Sequence, residues 1–370
     1  MPCASEVMST MSRVSPTPVA ASSPPAAPNQ CCRKMRISLL FAPLLVAALS
    51  AAAHAQSTKP AIGPAPQLSL PIACTVNVDC WIAKYFDADP GPGARDYTDG
   101  PRTNDRHRGT DFALRDLDAM EAGVPVLASA DGMVRGRRDG MDDVNVRTIG
   151  LDAIKGRDCG NGVFINHGPG WATQYCHLRK GSVRVATGQA VKAGDVIGLV
   201  GQSGRAEFPH IHLSVFRDGK RIDPFATGDA SAPQLWRATL RSQLRYEPVS
   251  VFDGGFRMTA PEKEETRLGA IQDQTISPNA PTLFYWTGLF GIRAGDKIKQ
   301  TLLGPDGRVL AEHEAVQKKN QIRGFRWVGK KRGARSWPAG DYIGRTTVTP
   351  RPGGPGETKS WEVTLEVTGR

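Results

Sequence analysis

Pro209-His210-Ile211-His212-Leu213-Ser214-Val215 is the stretch on which the reading of the fold turns. Side chains of a β-strand point alternately to its two faces, so His210, His212 and Ser214 share one face and Ile211, Leu213 and Val215 the other. One face is core; the other carries two imidazoles. Upstream, residues 101–228 read as short strands broken by Gly and Asp, at 125–130, 132–135, 162–167, 172–178, 190–191, 196–200 and 209–217. No helical period of useful length interrupts them. Downstream, Leu235, Trp236, Leu240 and Leu244 recur at roughly helical spacing after Ser231 and Pro233, which predicts a short helix within a linker at 229–249. Residues 250–370 return to strand patterns at 282–286, 297–302, 309–311, 324–327, 342–348 and 361–367, with turn signals such as Gly304-Pro305-Asp306-Gly307 between them. Their spacing predicts a C-terminal Ig-like β-sandwich, and the fold class is all-β.

The chain has 370 residues, room for two or three domains, and its 40% apolar content excludes wholesale disorder. Arg33, Lys34 and Arg36 precede an apolar run at 37–53, and Ala53-His54-Ala55 offers small residues at both positions inspected by a signal peptidase. Residues 1–55 are therefore expected to be a signal peptide, with Met35 as an alternative true start, and the product to be secreted or periplasmic. No Cys lies immediately after the cleavage site and no later apolar run reaches about 20 residues, so no stable membrane anchor is expected after cleavage. Residues 56–100 contain Asp89-Pro90-Gly91-Pro92-Gly93 and read as an N-terminal extension wrapping a domain. The formal net charge of +11 suits an anionic partner. Secretion, and the lack of a basic patch interleaved with aromatics near the core, argue against nucleic acid.

Four cysteines lie beyond residue 55: Cys74, Cys80, Cys159 and Cys176. An even number in an oxidising compartment predicts disulfides. Cys159 and Cys176 flank a hairpin turned by Gly168, Pro169 and Gly170, so antiparallel pairing favours Cys159 with Cys176, leaving Cys74 with Cys80. A thiolate metal site lacks the paired Cys-x-x-Cys spacing it needs.

Two further patterns join the His-x-His strand. Thr173-Gln174-Tyr175-Cys176-His177 places Thr173, Tyr175 and His177 on one strand face by the same alternation, and His107-Arg108-Gly109-Thr110-Asp111 sets a His and a carboxylate four positions apart. Two imidazoles and a carboxylate form a catalytic zinc shell when the fourth position is left to water, and remaining imidazoles then serve as acid-base groups.

Together, His107-x-x-x-Asp111, Tyr175-x-His177 and His210-x-His212, in that order, resemble the lysostaphin-type, or LytM-domain, zinc metallopeptidases that cleave peptidoglycan cross-links. The glycine pattern agrees: Asn161-Gly162-Val163-Phe164-Ile165-Asn166-His167-Gly168 looks like the family's hairpin. Val191-Lys192-Ala193-Gly194-Asp195-Val196-Ile197-Gly198 with Gly201-Gln202-Ser203-Gly204 looks like its next strand pair. The resemblance covers about 125 residues and implies a zinc metallopeptidase domain over 101–228, with a core of the duplicated hybrid motif or barrel-sandwich type.

Carried over position by position, it implies one zinc per chain on His107, Asp111 and His212. His177 and His210 become the catalytic pair, Tyr175 supports the tetrahedral intermediate, and stem peptides of peptidoglycan are the substrate. Which of His177 and His210 is the general base stays open, as does the bond cut. The alternative from another class is a noncatalytic LytM-type regulator that activates a cell-wall amidase; noncatalytic relatives typically lose several of the five groups, and this chain has all five. A biotinyl or lipoyl carrier, suggested by Gly-Asp-Val-Ile-Gly, lacks a Lys at a suitable hairpin tip. Arg323, Arg326, Lys330, Lys331, Arg332 and Arg335 cluster in the C-terminal domain and read as a solvated loop, with binding to anionic cell wall as the sharper reading. That domain is expected either to orient an enzyme on its polymer or to pack structurally on the core.

Overall fold

A computed structural model describes residues 63–226, 234–269, 273, 275–354 and 356–368. The expected signal peptide lies outside the described residues. Among the described residues of the first half there are ten strands: β1 Cys80–Lys84, β2 Thr110–Leu114, β3 Pro125–Leu127, β4 Gly132–Arg138, β5 Asn161–Asn166, β6 Trp171–Leu178, β7 Ala190–Val191, β8 Val196–Leu199, β9 His210–Arg217 and β10 Lys220–Ile222. Eight of them form one sheet in the order β1-β2-β9-β6-β5-β4-β7, with β10 on β9, while β3 and β8 pair separately. All these pairings are antiparallel.

The apolar face of β9 does what its sequence predicts: Ile211, Leu213 and Val215 are buried with Phe112 and Leu114 of β2, Val163 and Ile165 of β5, and Val126 and Ile197 of the β3–β8 pair. Among the described residues helix is confined to short pieces such as Leu117–Ala122, which Asp116 caps by accepting from the Ala119 N–H.

The extension does more than wrap the domain. Its residues 80–84 are the edge strand β1, and Tyr85 and Tyr97 stack with Phe225 and Tyr246 in one aromatic cluster. Asp96 fastens this segment, accepting from the Gly100 and Arg102 N–H groups and from the Tyr246 hydroxyl.

The helix expected after Pro233 is reduced to one 3-10 turn, Ala238–Leu240. Ser231 and Pro233, its expected start, lie outside the described residues. The reason for the reduction is a competing backbone partner: Leu68 N–H donates to Leu235 O and Arg237 N–H to Leu68 O, which holds 235–237 extended as a bridge.

Seven strands follow: β11 Ser250–Arg257, β12 Thr282–Ile292, β13 Lys297–Leu303, β14 Val309–Val316, β15 Gln321–Lys331, β16 Gly340–Thr349 and β17 Lys359–Val367. They form two sheets, β11-β12-β15 and β14-β13-β16-β17. Leu283 and Tyr285 of the first and Leu302 and Tyr342 of the second share one buried cluster, so the two sheets make a sandwich.

Arg323, Arg326, Lys330 and Lys331 belong to strand β15, a correction to the loop expected there. Arg323 lies over Phe252 at 4.3 Å and donates through Nη2 to the carbonyls of Arg115 and Thr266, both at 2.8 Å. It is wedged between the two halves of the chain because aromatic faces and backbone carbonyls give a guanidinium a partly desolvated seat.

Both expected disulfides are present, Cys74–Cys80 and Cys159–Cys176, the latter with Cα atoms 4.7 Å apart across the β5–β6 hairpin.

Candidate metal centre

The sheet register assembles the site. Strand β9 runs between β2 and β6, so His212 faces Asp111 on one side and Cys176 on the other, and His210 faces Ala113. Because Phe112 and Leu114 fill the core, alternation turns Asp111 to the same outer face as His210 and His212. His107 arrives from the loop before β2, its carbonyl accepting from the Asp87 N–H at 2.8 Å. One ligand atom each from His107, Asp111 and His212 lies within 4.8 Å of the other two.

Proton positions decide what this cluster can hold. His107 Nδ1 is 2.7 Å from Tyr85 O, which can only accept, so Nδ1 carries the proton and Nε2 presents a lone pair. That lone pair faces Asp111 Oδ1 at 2.9 Å. His212 Nε2 is 3.1 Å from Ser214 Oγ, whose own proton goes to Arg108 O at 2.8 Å, so Nε2 donates. Its Nδ1 lone pair also meets Asp111 Oδ1, at 2.7 Å. Two imidazole lone pairs converging on one carboxylate repel unless a cation lies among them. The donor set therefore fits a divalent metal of the kind that accepts two nitrogens and a carboxylate, with each His fixed by an outer hydrogen bond.

The other two imidazoles are built alike. His177 Nδ1 donates to Ser203 O at 2.7 Å and His210 Nδ1 to Phe208 O at 2.8 Å, so each aims an Nε2 lone pair outward. Their ring centroids are 4.6 Å apart, and His210 Nε2 lies 3.6 Å from Asp111 Oδ2. Burial pushes the His177 imidazole well below its ordinary pKa, helped by His210 and His212. Burial likewise lowers His212, and takes His210 down to about 4, in both cases against the Asp111 charge. For Asp111, burial opposes ionisation but is outweighed by His107, Lys84 and His210, leaving its carboxyl well below the usual range. The resulting state, an ionised carboxylate beside neutral His177, His210 and His212, is the one that metal ligands and a general base both require.

His177 reaches this cluster against the strand period. Tyr175 pairs with Leu213 and points into the core, and strict alternation would send His177 there too. A positive φ of 67° at His177 turns its side chain to the opposite face. The expectation that Thr173, Tyr175 and His177 share a face is thus corrected. Tyr175 stays fully buried; its hydroxyl accepts from the Ser129 N–H at 2.7 Å and from Thr173 Oγ1 at 3.1 Å, and this places it away from any intermediate at the cluster.

Two contributors escaped the sequence reading. Lys84 Nζ lies 3.0 Å from Asp111 Oδ2, because the register shift between Ile82 and Lys84 sets Lys84 opposite Asp111. Gly109 is the second: a Cβ there would come within 2.5 Å of both His212 Nε2 and Leu213 O, so only glycine lets the loop pass behind the imidazole. The glycine was visible between His107 and Asp111, but the spacing alone gave no clue to what it cleared.

The C-terminal sandwich touches the site through Phe208, whose ring is 5.0 Å from that of His210 and whose carbonyl orients it. Phe208 packs with Trp81 of β1, Phe252 of β11 and Phe290 of β12 in a shared buried cluster. Phe290 is 0% exposed and lies 4.5 Å from Phe252, centroid to centroid. Phe290→Ala should therefore cost about 3 to 5 kcal/mol, read as a lowered urea midpoint. A loss under about 1 kcal/mol would show that this packing is dispensable.

With the geometry in place, comparison with known proteins identifies the class. Residues 105–224 match the family model of peptidase family M23, and this part of the chain is an M23, LytM-type, peptidase domain. The chain is 34% identical over 160 residues to the DD-carboxypeptidase/endopeptidase Mpg of Neisseria meningitidis serogroup B, covering 39% of this chain and 31% of that protein. It is 36% identical over 117 residues to the peptidoglycan DD-endopeptidase ShyA of Vibrio cholerae, covering 32% and 22%. The chain thus spans less than a third of the length of these relatives. Among solved structures, a zinc-containing peptidase from Vibrio cholerae is 25% identical, with a TM-score of 0.26 and coverage of 44% of this chain and 41% of that one.

Proposed function

We propose that the protein is a zinc metalloendopeptidase that acts outside the cytoplasm and hydrolyses the peptide cross-links of peptidoglycan. The observation that carries this reading is the convergence of the His107 Nε2 and His212 Nδ1 lone pairs on the buried Asp111 carboxylate, beside two more imidazoles with free Nε2 atoms. The M23 domain and the DD-endopeptidase names of its relatives supply the substrate class.

In this proposal His107, Asp111 and His212 hold one zinc per chain. When bound, zinc supplies Lewis acidity, acidifying a water and polarising the scissile carbonyl. Everything else falls to the chain's own groups. His177 and His210 each keep Nδ1–H on a backbone carbonyl, so Nε2 is the atom that takes the proton of the attacking water and returns it to the leaving amine. The imidazole that has taken the water's proton then carries an Nε2–H, which faces the oxyanion of the tetrahedral intermediate until that proton passes to the leaving amine. Lys84 steadies Asp111 from the side away from His107. Purified protein should cleave a soluble cross-linked stem peptide, lose that activity to a chelator and regain it with zinc. Activity undiminished after complete removal of metal would refute the proposal.

A further inference from the structure

A cavity of about 350 Å³ lies beside the metal centre, between the catalytic sheet and the C-terminal sandwich. Its wall carries five cations, Lys84, Arg147, Lys263, Arg267 and Arg323, against one carboxylate, Glu207. Phe208 and Lys84 connect it to the site: the Phe208 ring touches that of His210, and Lys84 Nζ touches Asp111. Arg147 is paired with Glu207 at 2.8 Å and Arg267 with Glu264 at 3.3 Å. Lys263 is exposed and makes no ion pair among the described residues, and Arg323 Nη1 is buried without a hydrogen-bond partner although Nη2 has two.

We propose that this cleft is a carboxylate subsite, which holds a free carboxylate of the substrate peptide next to the bond being cut. The proposal rests on the peptidase reading above and adds the determinant of which peptides are taken. Arg147 and Arg267 each have an acid as partner, which leaves Lys263 and Arg323 as the wall's positive charges outside any ion pair among the described residues, in a partly enclosed setting where a charge-assisted pair is stronger than on open surface. The Asp111 charge does not cancel Lys84 once a divalent ion shares that carboxylate, so the ammonium is left to face an incoming anion. Three of the five cations, Lys263, Arg267 and Arg323, come from beyond residue 250, so recognition is assigned jointly to the peptidase domain and the sandwich. A peptide carboxylate is the occupant favoured over a larger polyanion because the cavity is at the small end of ligand sites and adjoins the metal centre through Lys84 and Phe208.

The test uses two soluble cross-linked peptides that differ in one group, a free carboxylate or its carboxamide beside the cross-link, with full-length zinc-loaded protein. Amidation should raise KM about tenfold with kcat changed less than about twofold, since uniform binding is lost. The double variant Lys263→Gln/Arg267→Gln should raise KM for the acid to the level of the amide, leave the amide unchanged, and keep its zinc. Calorimetric titration of both peptides into zinc-loaded His177→Ala should give the same ratio in Kd, independent of turnover. Equal KM and equal Kd for acid and amide would overturn the subsite while leaving the peptidase reading intact. A tenfold Kd ratio without cleavage by the wild type would do the reverse. A double variant that weakens both peptides equally would also overturn it.

Discussion

Asp111→Asn should abolish hydrolysis and strip the protein of its metal. The substitution keeps the shape of the side chain but removes the negative charge on which two imidazole lone pairs converge at 2.9 and 2.7 Å. It also deprives Lys84 of its ion partner. Changes to groups outside the ligand shell typically weaken metal binding by about 10- to 100-fold, and loss of a charged ligand should exceed that. Metal content by mass spectrometry, after dialysis against a weak chelator, is the readout, with circular dichroism showing the fold retained. Full zinc occupancy in Asp111→Asn would remove Asp111 from the shell.

The catalytic pair should separate from the ligands in the opposite sense. His177→Ala and His210→Ala each delete an Nε2 that is not needed to hold the ion, so zinc should remain at one per chain while kcat falls by about 10²- to 10⁴-fold. The two variants should differ in stability. His177 sits at a positive φ beside the Cys159–Cys176 bridge, so Ala at that position keeps an unfavourable backbone conformation and loses the Ser203 hydrogen bond that helps hold it. Loss of metal from either variant, with activity restored by excess zinc, would place that His among the ligands.

What the sequence made legible follows from periodicity. In β9 the period of two is unbroken, so the faces assigned to Ile211, His212 and Leu213 agree with the structure, as do the two disulfides. The same rule misplaced His177 because it presumes an extended backbone, and one left-handed residue inverts a face. Lys84 was invisible because its partnership depends on a one-residue register shift between strands 25 positions apart in sequence. Strand β11 was not among the strands read from the sequence; Gly254 within it lets the strand lie close to β12, where a Cβ would meet Thr287 at 3.0 Å. The helix after Pro233 failed for a related reason: the backbone of 235–237 had a better partner in Leu68 than in itself. For Lys84, β11 and residues 235–237 the deciding factor was a long-range contact; for His177 it was one local backbone conformation.

The central claim is that this cluster, with zinc, cuts cross-links. It is tested most directly by incubating zinc-loaded protein with purified sacculi and identifying the released peptides by mass spectrometry. The account predicts that cross-linked species disappear as uncross-linked stem peptides with new amino and carboxyl termini appear, and that Asp111→Asn releases none. Sacculi whose cross-linked peptides survive intact in the presence of folded protein carrying one zinc per chain would contradict it.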